Sequence, residues 1–200
     1  MDKLFYENLY IEKGARYVCG VDEVGRGPLA GPVTVCAVIM DLSKIVDGVD
    51  DSKKLSEKKR EKLFPLISEA AVDMSIVSVG PEVIDEINIL QATYRAMKRA
   101  VESLPLTADY ALIDGNRMPP LDIPGTTIVK GDALSMSIAA ASILAKVSRD
   151  RVMVQFSREY PQYGFEQHKG YGTAAHVQAL REYGPCPLHR QSFLQKILEK

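Results

Sequence analysis

The chain has 200 residues, of which 46% are hydrophobic and 26% charged, with a formal net charge of -1. This length and composition are typical of a globular protein that buries a core without needing disulfides or metals for stability. No apolar run approaches the roughly 20 residues of a membrane span, which excludes insertion into a bilayer. Residues 1–18 contain several acids and no continuous apolar stretch, so they do not resemble a signal peptide, and we expect a cytoplasmic protein.

Three cysteines, Cys19, Cys36 and Cys186, are odd in number and lack C-x-x-C spacing. This pattern argues against a disulfide framework and a structural zinc site and predicts buried, unpaired thiols.

The near-zero net charge is not typical of a nucleic-acid-binding domain, whose pI often exceeds about 9. Contact with a polyanion would therefore need a local basic patch. Two runs supply candidates: Lys53, Lys54, Lys58, Lys59, Arg60 and Lys62, and then Lys146, Arg149, Arg151 and Lys169. A solvated helix face is the alternative interpretation of each run.

The first half of the chain predicts two strands followed by a helix and a third strand. Residues 17–24 and 33–40 are β-branched and apolar, and the Gly/Pro-rich GRGPLAGP between them predicts an antiparallel pair. Ser56 is a candidate N-cap for an amphipathic helix, which we expect Pro65 to kink or shorten. A third strand is predicted near residues 74–79.

The second half predicts strands that alternate with helices. Asn88 is a candidate N-cap for a second helix, and short strands are predicted at residues 110–114 and within 126–132. The Ala-rich stretch after Asp132 lacks Gly and Pro and predicts a long helix that packs close to the sheet. Thr173 is a candidate cap for a further helix, and the chain ends in a last one. The order implies a single α/β domain with a mixed sheet, and a helical extension from about residue 155.

Carboxylates follow apolar strands beside a glycine three times, in V-D-E-V-G, L-I-D-G and K-G-D. Strand ends gather functional sites, so Asp22, Asp114 and Asp132 are expected to converge. The alternative is that each acid is a turn or cap residue. That alternative is weaker for Asp22 and Glu23, which interrupt an apolar strand with no basic residue expected nearby.

Four clustered acids need compensation, since two unit charges about 4 Å apart repel by roughly 4 kcal/mol at an effective dielectric constant near 20. Either their pKa values rise or hard divalent cations bind them. Two Mg²⁺ ions would balance four carboxylates, which suggests a two-metal phosphodiester hydrolase. Adjacent strand residues point to opposite faces, so Asp22 and Glu23 share a site only if the strand bulges or ends there, or if one contributes its carbonyl. Gly25 is a candidate for such a break.

Gly25 and Gly27 flank Arg26 in the turn that follows. Glycines allow the backbone to approach a ligand closely, and the Arg guanidinium matches phosphate oxygens. A tight turn with a solvated arginine is the alternative.

At this point the sequence resembles the ribonuclease HII family. The resemblance runs in order along nearly the whole chain. Its segments are GVDEVGRGPLAGPV, DSKKLS, EINILQATYRAM, LIDGNR, KGDALSMSIAAASILAKVSRDR, PQYGFEQHKGYGT and HRQSF. The related ribonuclease HIII family carries an additional N-terminal domain and usually a smaller residue than Arg26 between the glycines, so the match favours HII.

The resemblance implies a ribonuclease H-like fold with a mixed five-stranded sheet. It implies a divalent-metal site, with Mg²⁺ or Mn²⁺, made by Asp22, Glu23, Asp114 and Asp132. Under this hypothesis Asp22 bridges two ions, Glu23 and Asp114 complete one coordination sphere, and Asp132 completes the other. The expected activity is endonucleolytic cleavage of RNA in RNA/DNA hybrids and nicking 5' of ribonucleotides embedded in duplex DNA.

The resemblance also implies substrate-binding residues. Arg26 with Gly25 and Gly27 matches the loop that recognises the ribose 2'-hydroxyl and adjacent phosphate, and Tyr171 matches a tyrosine that packs against the sugar. Lys53 and Lys169 lie in segments that touch backbone phosphates. The enzyme is expected to act as a monomer in ribonucleotide removal.

Two other functions remain open from the residues alone. A phosphomonoesterase or small-molecule phosphohydrolase would also use acids at strand ends, although a D-x-D pair is missing. A hybrid-binding module without turnover would use metals only to neutralise charge. The three histidines lack metal-ligand spacing. His168, next to Lys169, is expected at the surface, with a position facing the substrate as the alternative.

Overall fold

The computed structural model describes residues 2–198, and its centre is a five-stranded mixed sheet. The strands lie in the order β3-β2-β1-β4-β5. Strands β1 to β3 are antiparallel neighbours, whereas β4 and β5 run parallel to β1, which confirms the predicted mixed sheet. The strand bounds are Val18–Val24, Val33–Met40, Ala71–Val79, Tyr110–Asp114 and Gly125–Ile128 for β1 to β5.

Helices cover both faces of the sheet and form the C-terminal part of the chain. Their bounds are Phe5–Glu12 (α1), Glu57–Ala70 (α2), Pro81–Glu102 (α3), Gly131–Leu134 (α4), Met136–Glu159 (α5), Phe165–His168 (α6), Ala174–Tyr183 (α7) and Gln191–Leu198 (α8). Within residues 2–198, none of these helices is long and apolar enough to cross a bilayer.

Helix α3 packs on one face of the sheet, and α2 and α5 pack on the other. The α5 face is lined by small residues, including Ala139, Ala140 and Ala141, all fully buried. The contact with β1 is so close that a Cβ at Gly20 would lie 2.2 Å from the carbonyl carbon of Ser137. The small-residue face predicted from sequence therefore places the start of α5 directly against the central strand.

Two helices differ from the sequence prediction. Helix α2 is not shortened at Pro65 and continues to Ala70, because Ile67 beyond the proline is completely buried and holds the last turn. Asn88 has φ 66° and its side chain accepts hydrogen bonds from the N–H groups of Leu90 and Gln91, as a cap should. The segment before it, from Pro81, is also helical and was not predicted.

The C-terminal helices enclose a core of their own around Tyr163 and Phe165, whose rings stack 5.4 Å apart. The three cysteines are buried and unpaired, as predicted. The surface position expected for His168 is wrong, because its ring is half-buried and stacks on that of His176 at 4.4 Å.

Candidate active site

Strand pairing brings the first acids together at one edge of the sheet. Strand β1 pairs with β4 in parallel up to the Val21–Ile113 pair, so Asp22 lies level with Asp114, the last residue of β4. Neighbouring strands lie about 4.8 Å apart, which places both acids beside each other where the β1–β4 pairing stops. The predicted convergence of these two strand ends is what the fold produces.

Asp22 and Glu23 point to opposite faces of the sheet. The register between β1 and β2 is continuous from Cys19 to Val24, so β1 has no bulge at the acids and ends one residue before Gly25. The Asp22 carboxylate is directed toward α5, where Ser142 is a hydrogen-bond partner. Glu23 lies on the α3 side, in a cavity of about 470 Å³ that Asp114 also lines.

Asp132 approaches the same edge from α4, the single helical turn that precedes α5. The N–H of Gly131 donates a 2.7 Å hydrogen bond to Asp114 Oδ1. Asp114 and Asp132 line a second cavity of about 440 Å³. Asp114 thus lies between Glu23 and Asp132. In the described part of the chain, residues 2–198, no three acidic, histidine or cysteine side chains are close enough to hold a metal ion as they stand.

Electrostatics at this edge disfavour ionised carboxylates. Burial, together with the nearby Glu23 and Asp114 charges, raises the pKa of Asp22 well above its ordinary value. Burial raises the pKa of Glu23 despite the opposing charge of Arg26, and burial with the Asp114 charge raises the pKa of Asp132. The protein's own groups therefore leave negative charge at this edge only partly compensated.

Two cations lie closer to the acids than the sequence suggested. Arg26 Nη1 is 3.3 Å from Glu23 Oε1, and Lys53 Nζ is 4.0 Å from Asp132 Oδ2. The expectation that the Asp22–Glu23 pair has no basic neighbour was wrong, because the turn after β1 folds Arg26 back on Glu23. Partial burial lowers the pKa of Lys53, but the Asp22 and Asp132 charges outweigh it and raise that pKa overall.

A fifth acid, Asp51, was missed from sequence. Its side chain hydrogen-bonds with Asp132 and also accepts the N–H of Lys53 at 2.9 Å. Asp51 caps the 3-10 turn Ser52–Lys54 and thereby aims Lys53 at the acids. The D-S-K-K pattern, an acid directly before a short basic run, was the signal available in the sequence.

The turn between β1 and β2, residues 25–32, is fixed by two buried arginines. The sequence prediction of Arg149 in a basic patch or on a solvated helix face was wrong, because its side chain is fully buried against this turn; Arg190 was not assigned from sequence. We call this turn the glycine loop. Arg149 donates to the carbonyls of Pro32 at 2.8 Å and Ala30 at 3.1 Å. Arg190 donates to the carbonyls of Arg26 at 2.9 Å, Gly25 at 2.5 Å and Gly31 at 3.0 Å.

Both guanidinium groups are fully buried, and no carboxylate lies within ion-pair distance of either in residues 2–198. Gly25 has φ +91°, and a Cβ there would lie 2.2 Å from Arg149 Nε. The glycine is thus required by the close approach of the arginine. The signal available in the sequence was a charged residue inside the Ala-rich helix.

The predicted substrate residues differ in their exposure. Tyr171 is 42% exposed, and its ring edge lies 4.0 Å from the point where a Cβ on Gly27 would stand. The Lys53 side chain is 81% exposed. The Lys169 side chain is only 11% exposed, because it donates to the Glu166 carbonyl and lies 3.9 Å from Glu57. Tyr171 therefore forms one accessible surface with Arg26 and Gly27, the exposed residues of the glycine loop, and Lys169 lies largely beneath it.

The residues present fit hard divalent cations. The donors at this edge are carboxylate oxygens, the ligands that Mg²⁺ and Mn²⁺ prefer. The raised pKa values of Asp22 and Asp132 show that added positive charge would stabilise their ionised forms. Asp22, Glu23, Asp114 and Asp132 are the side chains that would hold the ions.

Comparison with known proteins gives consistent matches. A ribonuclease HII family model matches residues 19–196. Ribonuclease HII of Caldicellulosiruptor saccharolyticus is 56% identical over 192 residues, covering 96% of this chain and 93% of that protein. Ribonuclease HII of Clostridioides difficile is 54% identical over 193 residues, covering 96% and 76%.

The fold agrees with the sequence matches. The crystal structure of ribonuclease H2 from Pyrococcus horikoshii OT3 superposes with a TM-score of 0.75 and 30% identity, covering 92% of this chain and 97% of that one. The mixed sheet, the flanking helices and the helical C-terminal part are therefore those of a ribonuclease H fold. The chain is a member of the ribonuclease HII family and, by family, a metal-dependent endonuclease.

Proposed function

We propose that this protein hydrolyses the RNA strand of RNA/DNA hybrids and nicks duplex DNA on the 5' side of an embedded ribonucleotide. The products would carry 3'-hydroxyl and 5'-phosphate ends, and the reaction would serve ribonucleotide removal. The observation that carries the proposal is the set of acids at one sheet edge, directly beside an arginine-bearing glycine loop, in which the pKa values of Asp22, Glu23 and Asp132 are raised.

Divalent ions, two when substrate is bound, would supply an activated water and neutralise charge on the departing oxygen. The fold positions the four carboxylates that would bind those ions. Asp22 is central, since it lies level with Asp114 and within range of the Glu23 charge. Glu23 and Asp114 would complete one coordination sphere and Asp132 the other. The Lys53 charge favours the ionised form of Asp132 against the larger effect of burial, and its exposed side chain lies free to meet a backbone phosphate.

The glycine loop and Tyr171 would recognise the ribose of the substrate. Gly27 leaves the loop backbone open to a ribose, whereas Gly25 admits Arg149 beneath the loop. The Arg26 side chain is 47% exposed, so its guanidinium can exchange Glu23 for a phosphate. Tyr171 offers an exposed ring beside Gly27 for stacking on the sugar. The 2'-hydroxyl is the group that distinguishes RNA from DNA at such a site. Lys169 would contribute through the few exposed atoms of its side chain.

The acids and the loop come from one chain, which supports a monomeric, single-domain enzyme. A cleavage assay tests the proposal. Three labelled duplexes are compared: an RNA/DNA hybrid, a DNA duplex with one ribonucleotide, and the same duplex in all-DNA form. Each is incubated with Mg²⁺, with Mn²⁺ or with EDTA.

We expect endonucleolytic cuts in the first two substrates with either metal, and none in all-DNA or with EDTA. Release of inorganic phosphate from a small phosphomonoester without duplex cleavage would indicate a phosphomonoesterase. Retention of the duplex in a binding assay, without any cut, would indicate a binding module. Either result would contradict the proposal.

A further inference from the structure

The first helix of the chain, α1, is bound to the turn that carries Asp132. Glu7 is completely buried, and its Oε1 accepts hydrogen bonds from Ser135 Oγ at 2.6 Å and from the N–H of Ser137 at 2.8 Å. Ser135 is the N-cap of α5 and follows Asp132 by one helical turn. The Lys3 carbonyl accepts the N–H of Met136 at 2.9 Å, so two residues of the N-terminal segment hold the same turn.

The same segment is bound to the loop that carries Asp51 and Lys53. Lys3 Nζ donates to the Val49 carbonyl at 2.9 Å and to Asp50 Oδ1 at 3.1 Å. Asp50 Oδ1 in turn accepts the N–H of Asp51 at 2.9 Å. The N-terminal segment therefore contacts both loops that meet at Asp132.

Burying the Glu7 carboxylate costs free energy that packing of helix α1 does not require. In the described part of the chain, Glu7 Oε2 and Ser137 Oγ are buried oxygens without a hydrogen-bond partner. An unsatisfied buried polar atom destabilises a fold, so an apolar side chain would anchor the helix at lower cost. A carboxylate at this place is better explained by the turn that it orients. The cap of α5 and the position of Asp132 both depend on that turn.

We propose that Lys3 and Glu7 are positioning residues of the metal site, which tie the Asp132 turn to the Asp51–Lys53 loop through helix α1. The inference rests on the proposed function, because it concerns the same carboxylates. It extends that function to a segment that lies before residue 19, where the family match begins. Neither residue touches substrate or metal; each acts by fixing where Asp132 stands.

Mn²⁺ titration calorimetry on the folded full-length protein, well below its unfolding temperature, tests the inference without relying on activity. Glu7→Ala removes the acceptor and is expected to raise the Mn²⁺ dissociation constant about 10-fold, the low end for groups that orient metal ligands. Glu7→Gln keeps an acceptor oxygen at the same place and is expected to restore a dissociation constant close to that of the wild type. Glu12→Ala, on an exposed residue of the same helix, is the matched control and should change nothing.

Lys3→Met provides a second variant should Glu7→Ala fail to fold. It keeps the aliphatic stem, breaks only the contacts to Val49 and Asp50, and is expected to raise the dissociation constant in the same direction by a smaller factor. Unchanged Mn²⁺ binding in both Glu7→Ala and Lys3→Met, even with a lower unfolding temperature, would overturn the inference and leave α1 a purely structural element.

The failure of the proposed function has a different signature. A wild-type protein that binds Mn²⁺ but cuts no duplex would contradict the function, whereas the variants would still decide whether α1 positions the acids. Absence of Mn²⁺ binding by the wild type would overturn both.

Discussion

The acid edge, which consists of Asp22, Glu23, Asp114 and Asp132, and the glycine loop are adjacent regions that bury charge in opposite ways. Arg149 and Arg190 are fully buried cations, yet backbone carbonyls accept hydrogen bonds from both guanidinium groups. Asp22 and Asp132 are almost as deeply buried, at 4% and 6% exposure, but face other carboxylates. The loop is electrostatically complete in the protein alone, whereas the acid edge is complete only with added cations.

This difference separates the tasks of the two regions. A loop fixed by carbonyl–guanidinium bonds is rigid before substrate arrives, so little ordering is left for the binding step. A cluster of acids whose charges are only partly compensated still attracts cations. The following substitutions weaken one region or the other.

The largest effect is expected from Asp22→Asn at the acid edge. The change removes one charge and almost no volume, so cleavage of a duplex with one ribonucleotide should fall by roughly 1,000-fold or more. Because burial and like charges raise the pKa of Asp22, its loss should not lower the free energy of unfolding at neutral pH. Single-turnover cleavage and urea unfolding measure the two quantities. Full activity in this variant would remove Asp22 from the metal site.

Arg190→Met should act on the glycine loop and on stability together. It leaves the carbonyls of Gly25, Arg26 and Gly31 without their donor, and we expect a loss of about 3–5 kcal/mol in the free energy of unfolding. Any folded fraction should cleave more slowly. Arg181→Met, at an exposed position on α7, is the matched control. Equal stability of the two variants in urea would show that the buried arginine is not needed to hold the loop.

A pH effect on stability is expected from the histidine pair behind the loop. His176 and His189 are buried with their Nε2 atoms 3.0 Å apart, and His176 Nδ1 is 2.9 Å from the Tyr171 carbonyl oxygen. Burial and the neighbouring His176 lower the pKa of His189 from 6.5 to about 4. Between about pH 4 and pH 6.5 the unfolded chain therefore binds more protons than the folded protein does. Stability from the neutral pair is complete above pH 6.5 and decreases toward pH 4, by up to roughly 3 kcal/mol.

The carboxyls of Asp22 and Asp132, whose pKa values are raised, change stability with pH in the opposite sense. Because the His189→Gln variant contains the same carboxyls, their effect cancels when it is compared with the wild type. The difference in free energy of unfolding between wild type and variant should shrink as the pH falls from neutral. A difference that stays constant down to about pH 4 would mean that the pair is already protonated or solvated in the fold.

The smallest effect is expected from Arg26→Ala, which tests the exposed side of the glycine loop. Loss of one charged hydrogen bond to substrate should weaken binding about 10-fold and reduce the preference for ribonucleotide over all-DNA duplexes. Arg158→Ala, near the exposed end of α5, is the control. The ratio of cleavage rates on the two duplexes is the measurement, and an unchanged ratio would count against Arg26 as a recognition residue.

Sequence reasoning predicted the features that depend on local pattern. The strands on either side of the glycine loop follow from β-branched runs, and the parallel pairing of β1 with β4 brings Asp22 beside Asp114. The cap at Asn88 and the close packing of α5 on the sheet were also predicted, because each depends on local residue types.

The features that were missed depend on contacts between distant parts of the chain. Arg190 binds carbonyls about 160 residues earlier, at Gly25 and Gly31, and no local pattern marks a carbonyl as an acceptor. Helix α1 was not predicted because Leu4 provides no capping side chain, and its anchor Glu7 is a polar residue in the core. The contact of Arg26 with Glu23 depends on the path of a turn whose conformation two buried arginines fix.

The central claim is that the acid edge gathers divalent cations, and anomalous diffraction from crystals soaked with Mn²⁺ tests it most directly. We expect Mn²⁺ at the edge with oxygens of Asp22, Asp114 and Asp132 or Glu23 as ligands, at roughly 2.0–2.6 Å, and two ions when an uncleaved duplex is bound. Anomalous peaks only at other acids on the surface, with these side chains unmoved, would contradict the account.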